Sequence, residues 1–570
     1  MSTITSETPG VLIVGAGPTG LTAALTLAKN GVPVRIIDKR STFGTEQRGA
    51  GIHPRTLELF NYLDVLPDVW EKGIPFSPFQ HYKLPGGVEP LGKPYWPVDP
   101  ATPTPSIPWI NPWLIGQCHT EAILRKHLAT YGYEVELNTE FRSLEQSPDH
   151  VTVTTAKGED GTEAITSASY RWVIAADGGR SALRKQLGIP FEGQQLPDRM
   201  VLGEMQLSGL DREHWHRWND WGERIRPTVV FRPTETEDRF WFMVGGNVNY
   251  EKIISNRDAL VETIRDCIER KDLQFGELYY VLEYKPSVRM VDRLSEGRVF
   301  LAGDAAHIHS PAGGQGLNTS VQDAFNLSWK LALVERGVAQ TSLLYSYSAE
   351  RLPVIKRMIQ ETRRIFELTM QSKARPEGMA PWGKSEGLRQ LGVNYRSSPI
   401  LVDERHADGA QQETYDAYGI GLGALGGVGL RAGDRAPDAP GLVDVTEAGS
   451  EVKTRSLFGI FRPVYHTVLM FGEDSTAASE VMDGLKAYPA QLLRVVTIHP
   501  QQGPVTAGVV TDITADFALR DGHGHAYTGY GCSPEVFSVV VVRPDGVVGA
   551  IVLGAKGVQK YFDRVFDAFQ

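Results

Sequence analysis

The pattern of apolar and polar positions is most regular near the start of the chain. A β-branched apolar run, Val11 to Gly15, ends at a glycine and leads into the alanine- and leucine-rich stretch PTGLTAALTLAKNG. A second apolar run, in PVRIIDKR, follows Gly31. This order predicts a strand, a tight turn, a helix and a second strand, which together form a βαβ unit.

Further along, the pattern changes several times. The segment from Pro85 to Pro112 is dense in proline and tryptophan, which disfavours helix and central strand, so we expect a long irregular excursion. Helical periodicity returns in TEAILRKHLATYG, followed by the strand patterns YEVELN, VTVTTA and WVIAADG. Between about Ile189 and Tyr284 the strands are rich in aromatic residues, as in PTVVFRP and RFWFMVGG. The strand RVFLAGDAAH and a long helix from about Leu317 then resume the first pattern.

These changes predict an α/β protein with several domains. A Rossmann-like nucleotide-binding domain occupies residues 1–188 and 286–396, and a β-sheet substrate domain, residues 189–285, is inserted into it. A glycine-rich passage ending in LRAGDRAPDAP marks a linker, residues 397–431, and residues 432–570 form a separate C-terminal α/β domain.

Composition narrows the possible functions. The 570 residues carry a formal net charge of -10, so no broad cationic surface is available for nucleic acid. Cys118, Cys267 and Cys532 are too far apart in sequence for a CxxC pair or a disulfide framework, which favours a reducing, cytoplasmic setting. The apolar run near the start is too short for a membrane span, and no signal peptide is predicted.

The first chemical motif lies at the predicted turn after the first strand. Gly15, Gly17 and Gly20 have the G-x-G-x-x-G spacing, in which the glycines allow the turn, the approach of a diphosphate and close helix packing. Asp38 ends the second strand, where a carboxylate can bind ribose hydroxyls, and Lys39 follows it. A second literal match, Gly421, Gly423 and Gly426, has no apolar strand before it, and we interpret it as a loop. Both NAD- and FAD-binding proteins use this motif.

Two later motifs favour FAD: WVIAADGGRSALRKQLGI around Asp177, and RVFLAGDAAHIHSPAGGQGLNTSVQDAFNLSWKLAL around Asp304. With GAGPTG, they make the chain, from about Val11 to Ala349, resemble the single-component (class A) FAD-dependent aromatic hydroxylases, which include phenol and polyketide hydroxylases. The tail from Ala432 resembles their thioredoxin-like C-terminal domain. It lacks a CxxC pair, so we expect it to serve in dimer contact rather than thiol redox chemistry.

The third motif also has a physical interpretation. A strand ending at Gly303 and Asp304 would place a carboxylate over the ribityl hydroxyls. The following small residues open a helix whose N-terminal amides favour an anion, here the pyrimidine edge of reduced flavin. The predicted cofactor contacts in this stretch are Gly313, Gly314, Gly316, Leu317 and Asn318, with Pro311 at the reaction face.

The resemblance implies further residues. Arg48 corresponds to an arginine that contacts flavin at the mouth of the site, and Gln117 to a glutamine that binds the cofactor. Asp177 and Arg180 are linked by the same resemblance to FAD and NADPH binding. Arg48 and Pro311 are therefore the expected catalytic residues. The phenol hydroxylase branch has an aspartate near Ala50 as its proposed base, and this chain lacks it.

We expect the substrate to lie against the inserted domain. Its aromatic surface comes from Trp215, Trp218, Trp221, Phe240, Trp241, Phe242, Tyr279 and Tyr280. His53, Arg239, Trp241, Tyr250 and Pro311 are the candidate substrate contacts, although no spacing rule selects among them. The histidine pairs 214/216, 307/309 and 523/525 have no evident third ligand, so we predict no metal.

The resemblance implies an FAD-dependent monooxygenase. It would hydroxylate a phenolic or polyketide-like compound with NADPH or NADH and O2, through a flavin C4a-hydroperoxide. Baeyer–Villiger oxygenation on the same fold, and a flavin-binding protein without turnover, remain as alternatives. The expected partners are a small aromatic substrate and a second copy of the chain, with no nucleic acid and no membrane.

Overall fold

The predicted βαβ unit forms the centre of a six-stranded sheet, which we call the parallel sheet. The computed structural model describes residues 10–158, 162–219, 227–370, 386–405, 416–419, 429–446, 453–501 and 515–566. In spatial order, the strands of the parallel sheet are Ser295–Glu296, Val299–Leu301, Trp172–Ala175, Val11–Val14, Val34–Ile37 and Val135–Glu136, and only the first pairing is antiparallel. All four residues of Val11–Val14 are buried, as expected for a central parallel strand.

The described residues also contain helices, which pack against the sheets of the molecule. They are α1 (Pro18–Lys29), α2 (Pro54–Tyr62), α3 (Leu66–Lys72), α4 (Gln117–Ala129), α5 (Ala182–Gln186), α6 (Tyr250–Ser255), α7 (Arg257–Ile268), α8 (Gly316–Glu335), α9 (Tyr345–Met370), α10 (Ser475–Leu485), α11 (His525–Tyr530) and α12 (Ala555–Phe562). Helix α1 starts with Gly17 as its N-cap and Pro18 in its first turn, where a missing amide costs nothing. Among the described residues, no helix combines the length and apolar character needed to cross a bilayer.

A second six-stranded sheet, the aromatic sheet, lies in the predicted insertion. Its strands are, in order, Gln274–Tyr284, Met200–Ser208, Arg239–Gly245, Thr228–Pro233, Trp215–Trp218 and Phe79–Tyr82. One face packs on α6 and α7 through an apolar core that includes Met205, Phe231 and Phe242. The edge strand Phe79–Tyr82 pairs in parallel with Trp215–Trp218, although its position in the chain put it in the predicted nucleotide-binding domain. Alternation of side chains shows that a segment is a strand, but it does not show which sheet it joins.

The third large sheet, the C-terminal sheet, has eight strands. Their order is Val402–Asp403, Val548–Val552, Ser538–Val542, His466–Phe471, Leu493–His499, Phe517–Asp521, Leu442–Asp444 and Thr454–Arg455. The strand Val402–Asp403 lies within the predicted linker, so this sheet begins earlier in the chain than predicted. Its two residues pair with a fully buried strand, a contact between distant parts of the chain that has no local signal in sequence.

Three small sheets complete the described strands. The first joins Thr139–Gln146, Val151–Lys157 and Ala164–Tyr170, and the second joins Glu192–Gln195, Ser287–Met290 and His307–Ile308. The third joins Gly51–Ile52, Trp113–Leu114 and Ile74–Pro75. The second sheet links the ends of the insertion to the segment after the Gly303 turn, which holds the aromatic sheet close to the edge of the parallel sheet.

Buried ion pairs join the C-terminal sheet to the rest of the molecule. The Glu350 carboxylate on α9 lies 2.7 Å from Lys330 Nζ on α8 and 2.8 Å from Arg543 Nη1, and all three side chains are fully buried. Burial alone would raise the pKa of Glu350, but Arg543 and Lys330 outweigh it and hold that pKa well below its usual value. Removing one partner of such a cluster leaves an uncompensated buried charge, so these contacts fix the C-terminal sheet against α8.

Candidate cofactor and active site

The motifs singled out in the sequence meet at one edge of the parallel sheet. Gly15 follows Val14, Asp38 follows Ile37, Asp177 lies two residues after Ala175, and Gly303 lies two residues after Leu301. Because these strands are parallel, their carboxyl ends lie side by side. Ligands of open α/β sheets bind at this edge, so the fold brings distant motifs into one candidate site.

The three glycines of the first turn have different surroundings. Gly15 has φ of +102°, and a Cβ there would lie 2.2 Å from the Ala176 carbonyl oxygen. A Cβ on Gly20 would lie 1.9 Å from the Gly15 carbonyl oxygen, so only glycine lets α1 pack this closely. A Cβ on Gly17 would meet nothing within 4 Å. Gly17 therefore faces open space at the N-terminus of α1, where a diphosphate can approach the free amides.

Asp38 supports the same turn. Its carboxylate accepts hydrogen bonds from the backbone amides of Ala16 and Arg40, each at 2.9 Å, and from the Arg40 guanidinium. Burial alone would raise the pKa of Asp38, but these contacts outweigh it and hold that pKa below its ordinary value. Lys39 is exposed, whereas Arg40, which the sequence analysis did not select, forms the ion pair with Asp38.

Asp304 lies at the turn after the strand Val299–Leu301. Gly303 has φ of +62°, and a Cβ there would lie 2.4 Å from Thr19 Oγ1, so this turn also requires glycine. The Asp304 side chain is exposed, and its carboxylate has no hydrogen-bond partner among the described residues. Nearby protein desolvates the carboxyl group and raises its pKa, while the charge of Arg48 opposes this shift. Asp304 thus presents an unused acceptor at the edge of the sheet.

A buried carboxylate, Asp323 of α8, holds the Gly303 turn in place. One of its oxygens accepts from the Gly303 amide at 3.2 Å and lies 2.6 Å from His307 Nε2. The other oxygen accepts from Arg351 Nε at 2.7 Å. Asp323, His307 and Arg351 are fully buried. No sequence motif marks this cluster, because its members belong to three separate elements.

The stretch from Pro311 to Asn318 forms the glycine loop that opens α8. Gly313 and Gly314 both have positive φ, 77° and 62°. Asn318 accepts from the His53 amide at 2.8 Å and donates to the carbonyls of Gly51 and Gly314 at 2.8 and 3.0 Å. Pro311 is exposed beside the loop. Asn318 therefore ties the loop to the strand Gly51–Ile52 instead of pointing freely toward a ligand.

His53 lies beneath this loop. Its ring Nε2 is 2.9 Å from the Gly313 carbonyl oxygen, and the side chain is buried. Burial lowers the pKa of His53 to about 4, so the imidazole is neutral near pH 7 and can donate from Nε2 to that carbonyl. His53 therefore supports the glycine loop. This role differs from its predicted role as a substrate contact.

Arg48 and Gln117 lie opposite the start of α8. A Cβ on Gly49 would lie 3.5 Å from Gln117 Oε1 and 3.6 Å from the Leu317 side chain, so these residues surround one opening. Glu235, in the loop between the strands Thr228–Pro233 and Arg239–Gly245, binds residues next to Arg48 and Gln117, and we call these contacts the Glu235 clasp. Glu235 accepts from Gln47 Nε2 at 2.8 Å and from the Gly116 amide. Sequence reasoning missed Gln47 and Glu235, which no motif marks.

Two further groups border the edge. Asp177 caps α5 by accepting from the Ala182 amide at 2.7 Å, and its second oxygen is buried without a partner among the described residues. Arg180 is exposed. Beside Asp38, Glu121 Oε2 and Arg125 Nη1 are buried polar atoms that also lack a hydrogen-bond partner within the described ranges. Glu121 Oε2 and Arg125 Nη1 face each other as an ion pair at 3.9 Å, so of these atoms the second Asp177 oxygen is the unpaired acceptor.

The aromatic sheet sorts the remaining candidates by face. Tyr250 lies on the face covered by α6 and α7, where its hydroxyl is 2.7 and 2.8 Å from the carbonyl oxygens of Arg199 and Gly246 and donates its one hydrogen between them. This corrects its prediction as a substrate contact, because the hydroxyl is used within the insertion. Arg239 and Trp241 lie on the opposite face, toward the parallel sheet, as the burial of the intervening Phe240 shows. Trp221 and the second glycine motif, residues 421–426, lie outside the described residues.

The chemistry of this edge fits FAD. Gly17 leaves room for a diphosphate, the Asp304 carboxylate is free to accept from ribityl hydroxyls, and Asp38 lies where a ribose would follow the second strand. Among the described residues, no group of three or more His, Cys, Asp or Glu side chains is placed to hold a metal ion.

Comparison with known families decides the identity of the fold. Residues 8–362 match the family described as FAD binding domain, and residues 495–569 match the phenol hydroxylase C-terminal dimerisation domain. The chain belongs to the FAD-dependent aromatic hydroxylase family. It is therefore a flavin monooxygenase, an oxidoreductase.

Relatives align over almost the whole hydroxylase chain. A flavin-dependent monooxygenase of Mycobacteroides abscessus is 32% identical over 97% of this chain and 99% of its own length. The pentachlorophenol 4-monooxygenase of Sphingobium chlorophenolicum is 30% identical over 96% of both chains. The crystal structure of the flavin-dependent monooxygenase PieE in complex with FAD and substrate has the same fold, with a TM-score of 0.79, 22% identity and 98% of each chain covered.

Proposed function

We propose that this chain hydroxylates a phenolic or polyketide-like aromatic compound with NADPH or NADH and O2. The observation that carries the proposal is the position of the aromatic sheet. On its face opposite α6 and α7, Leu202 and Met243 pack against an apolar cluster that contains Ala312 of the glycine loop and Leu388. A planar apolar molecule between this face and the loop would lie beside the bound cofactor. One relative is named pentachlorophenol 4-monooxygenase, and this name supports a phenolic substrate class.

The chain's own residues would bind FAD, orient the substrate and shield the reacting ring from water. Asp304, Asp38 and the Gly17 turn would hold FAD, and Arg48 would place positive charge at the mouth. Bound FAD would supply the redox chemistry by which one atom of O2 is transferred to the ring. The apolar face around Leu202, Met243 and Ala312 would exclude water from the reacting ring. His53, neutral and hydrogen-bonded to Gly313, would keep the loop in position.

NADPH consumption by the purified holoenzyme tests the proposal. We expect at least one phenol from a panel of 2-naphthol, pentachlorophenol and hydroxyanthraquinones to accelerate it, with product NMR showing a new ring hydroxyl. A lactone or ester product would instead establish Baeyer–Villiger oxygenation. Absence of stimulation by every phenol, in protein that retains FAD, would refute hydroxylase activity and favour a flavin-binding role.

We also propose that the C-terminal sheet mediates a homodimer. The match of residues 495–569 to a dimerisation domain supports this assignment. Light scattering of the purified protein should give twice the chain mass of 62.8 kDa. A monomer mass over the micromolar range would exclude it.

A further inference from the structure

Four side chains form a row across the face of the aromatic sheet opposite α6 and α7. Tyr280 pairs with Glu204, Glu204 with Trp241, and Trp241 with Arg232, so one register position on four neighbouring strands is occupied by polar or aromatic polar residues. Side chains directly opposite on adjacent strands lie about 5 Å apart at Cβ, which makes the row a continuous surface. Glu204 has Tyr280 on one side and Trp241 on the other.

The row faces the cofactor side of the sheet. Met205, Phe231 and Phe242, which flank it along their strands, are buried against α6 and α7, so alternation points the row the other way. Leu202 and Met243, each two residues from the row, pack with Ala312 of the glycine loop. Two residues of strand span about 7 Å, roughly the length of one aromatic ring with its substituent. A ring held beside the glycine loop can therefore direct a substituent onto the row.

Arg232 donates to Gln47 Oε1 at 3.2 Å and to the Pro233 carbonyl at 3.3 Å, whereas other polar atoms on the row, and one on the neighbouring Arg239, are unpaired in the part of the chain that the structure describes. Trp241 Nε1, Tyr280 Oη and Arg239 Nε are buried and have no hydrogen-bond partner among the described residues. The Glu204 side chain is 4% exposed, and its ion-pair contact is Arg239 Nη1 at a long 3.5 Å. Buried polar groups are normally satisfied, and a cluster of unsatisfied donors around one carboxylate indicates a missing ligand with an O–H group.

We propose that Glu204 is a catalytic residue that accepts the proton of the substrate's ring hydroxyl, with Trp241 and Tyr280 donating to the resulting oxygen anion. The inference rests on the proposed function and deepens it, because it defines the substrate as a hydroxyarene whose hydroxyl reaches the row. It also supplies a base in a chain that lacks an aspartate near Ala50.

The step is a simple proton transfer. The ring O–H bond breaks, a Glu204 oxygen gains the proton, and the electron pair stays on the ring oxygen, which activates the ring toward an electrophilic oxygen atom. Burial raises the pKa of Glu204, while the charges of Arg239 and Arg232 oppose the shift and Glu235 adds to it. Tyr280 and Cys118 also face this carboxylate, and burial raises both of their pKa values, so neither carries negative charge near pH 7. A carboxylate with a raised pKa is a stronger proton acceptor than one in water.

The test compares Glu204→Gln with wild-type holoenzyme and with Glu277→Gln, an exposed glutamate on the strand that carries Tyr280. The probes are 2-naphthol and its methyl ether, 2-methoxynaphthalene, and binding is followed by the change in flavin absorbance. We expect wild type and Glu277→Gln to bind the naphthol about tenfold or more tightly than the ether, because the ether cannot donate to a carboxylate. In Glu204→Gln this preference should disappear.

Turnover adds a readout that a structural role would not change. At pH 7 we expect Glu204→Gln to hydroxylate 2-naphthol about 10²-fold more slowly than wild type. Its rate should rise with pH as solvent ionises the phenol, whose pKa is near the ordinary value of about 10, and should approach wild type there. Tyr280→Phe should reduce the naphthol preference severalfold while keeping the FAD content, which provides a second test if Glu204→Gln folds poorly.

The outcomes separate this assignment from the proposed function. If Glu204→Gln keeps the naphthol preference and the wild-type pH profile, Glu204 is not the base, although wild-type turnover still establishes a hydroxylase. If wild type binds naphthol and ether equally, the row does not recognise a hydroxyl and the proposal fails. If no phenol stimulates NADPH consumption, the proposed function fails, while the binding preference still decides whether Glu204 recognises the hydroxyl.

Discussion

The turns at the edge of the parallel sheet and the face of the aromatic sheet opposite α6 and α7 are built in opposite ways. In the turns, Gly15, Gly17 and Asp38 lie within one βαβ unit, and the backbone amides of Ala16 and Arg40 hold the Asp38 carboxylate. On the aromatic sheet, the row from Tyr280 to Arg232 is assembled only by register between strands. The cofactor side therefore depends on local backbone geometry, whereas the substrate side depends on strand pairing, and substitutions should affect the two regions differently.

The largest effect is expected behind the Gly303 turn. Asp323→Asn removes the buried partner of Arg351 and should lower the free energy of unfolding by about 3–5 kcal/mol. Burial alone would raise the pKa of Asp323, but Arg351 and His307 outweigh it and hold that pKa below its usual value. The contribution of Asp323 is therefore present above the unfolded pKa of about 4 and is lost as pH falls through the folded value.

Urea denaturation of both proteins at several pH values measures this effect. The difference between wild type and Asp323→Asn should be constant near pH 7 and should shrink below about pH 4. A difference that stays unchanged into acid would show that the ion pair is not the source of the stability. Asp292→Asn, at an exposed aspartate, provides the control.

A smaller effect is expected at the turn itself. Asp304→Ala removes an exposed acceptor that has no partner among the described residues, so the stability of the apoprotein should hardly change. FAD affinity should fall by about tenfold to hundredfold, the value of a charged hydrogen bond. Titration of the apoproteins with FAD measures the affinities of wild type and Asp304→Ala, with Asp292→Ala as control. An Asp304→Ala protein with wild-type FAD affinity would contradict the placement of the ribityl chain.

On the aromatic sheet, two tryptophans distinguish the two faces. Trp218 Nε1 donates to the Gly87 carbonyl at 2.9 Å, whereas Trp241 Nε1 lacks a partner among the described residues. Trp218→Phe leaves that carbonyl unpaired and should cost about 1–2 kcal/mol more than Trp241→Phe in the ligand-free protein. Trp241→Phe should instead weaken naphthol binding. Thermal unfolding and flavin-perturbation titration measure the two effects, and equal losses of stability would show that the faces do not differ.

The smallest effect is expected in the C-terminal sheet region. Cys532→Ser should leave NADPH consumption and FAD content unchanged, because the thiol is half-buried, accepts from Ser538 Oγ at 3.4 Å and has its pKa raised by burial. A thiol in such surroundings is a poor nucleophile. Loss of most of the turnover in Cys532→Ser would require a redox role for this region.

Sequence by itself determined the parts of this protein that depend on local backbone. The βαβ unit, the three glycines of its turn, Asp38 and the Gly303–Asp304 turn could all be predicted, because residue types at a set spacing within a short segment mark each of them. Gly15 and Gly303 also have positive φ, which favours glycine. The order of these motifs also indicated the family. Arg239 and Trp241 were selected from composition, but nothing local distinguished them from Tyr250, which lies on the other face.

Tertiary structure decided everything that depends on distant segments meeting. The Asp323 cluster joins three elements, the Glu235 clasp joins the aromatic sheet to Gln47 and Gly116, and His53 supports a loop 260 residues later in the chain. Glu204 gains its neighbours from the registers of four strands, and Val402–Asp403 joins a sheet whose other strands begin at Leu442. Hydrogen bonds and ion pairs act over a few ångströms of space whatever the separation in sequence, so only the folded chain shows which polar groups are paired and which remain free for a ligand.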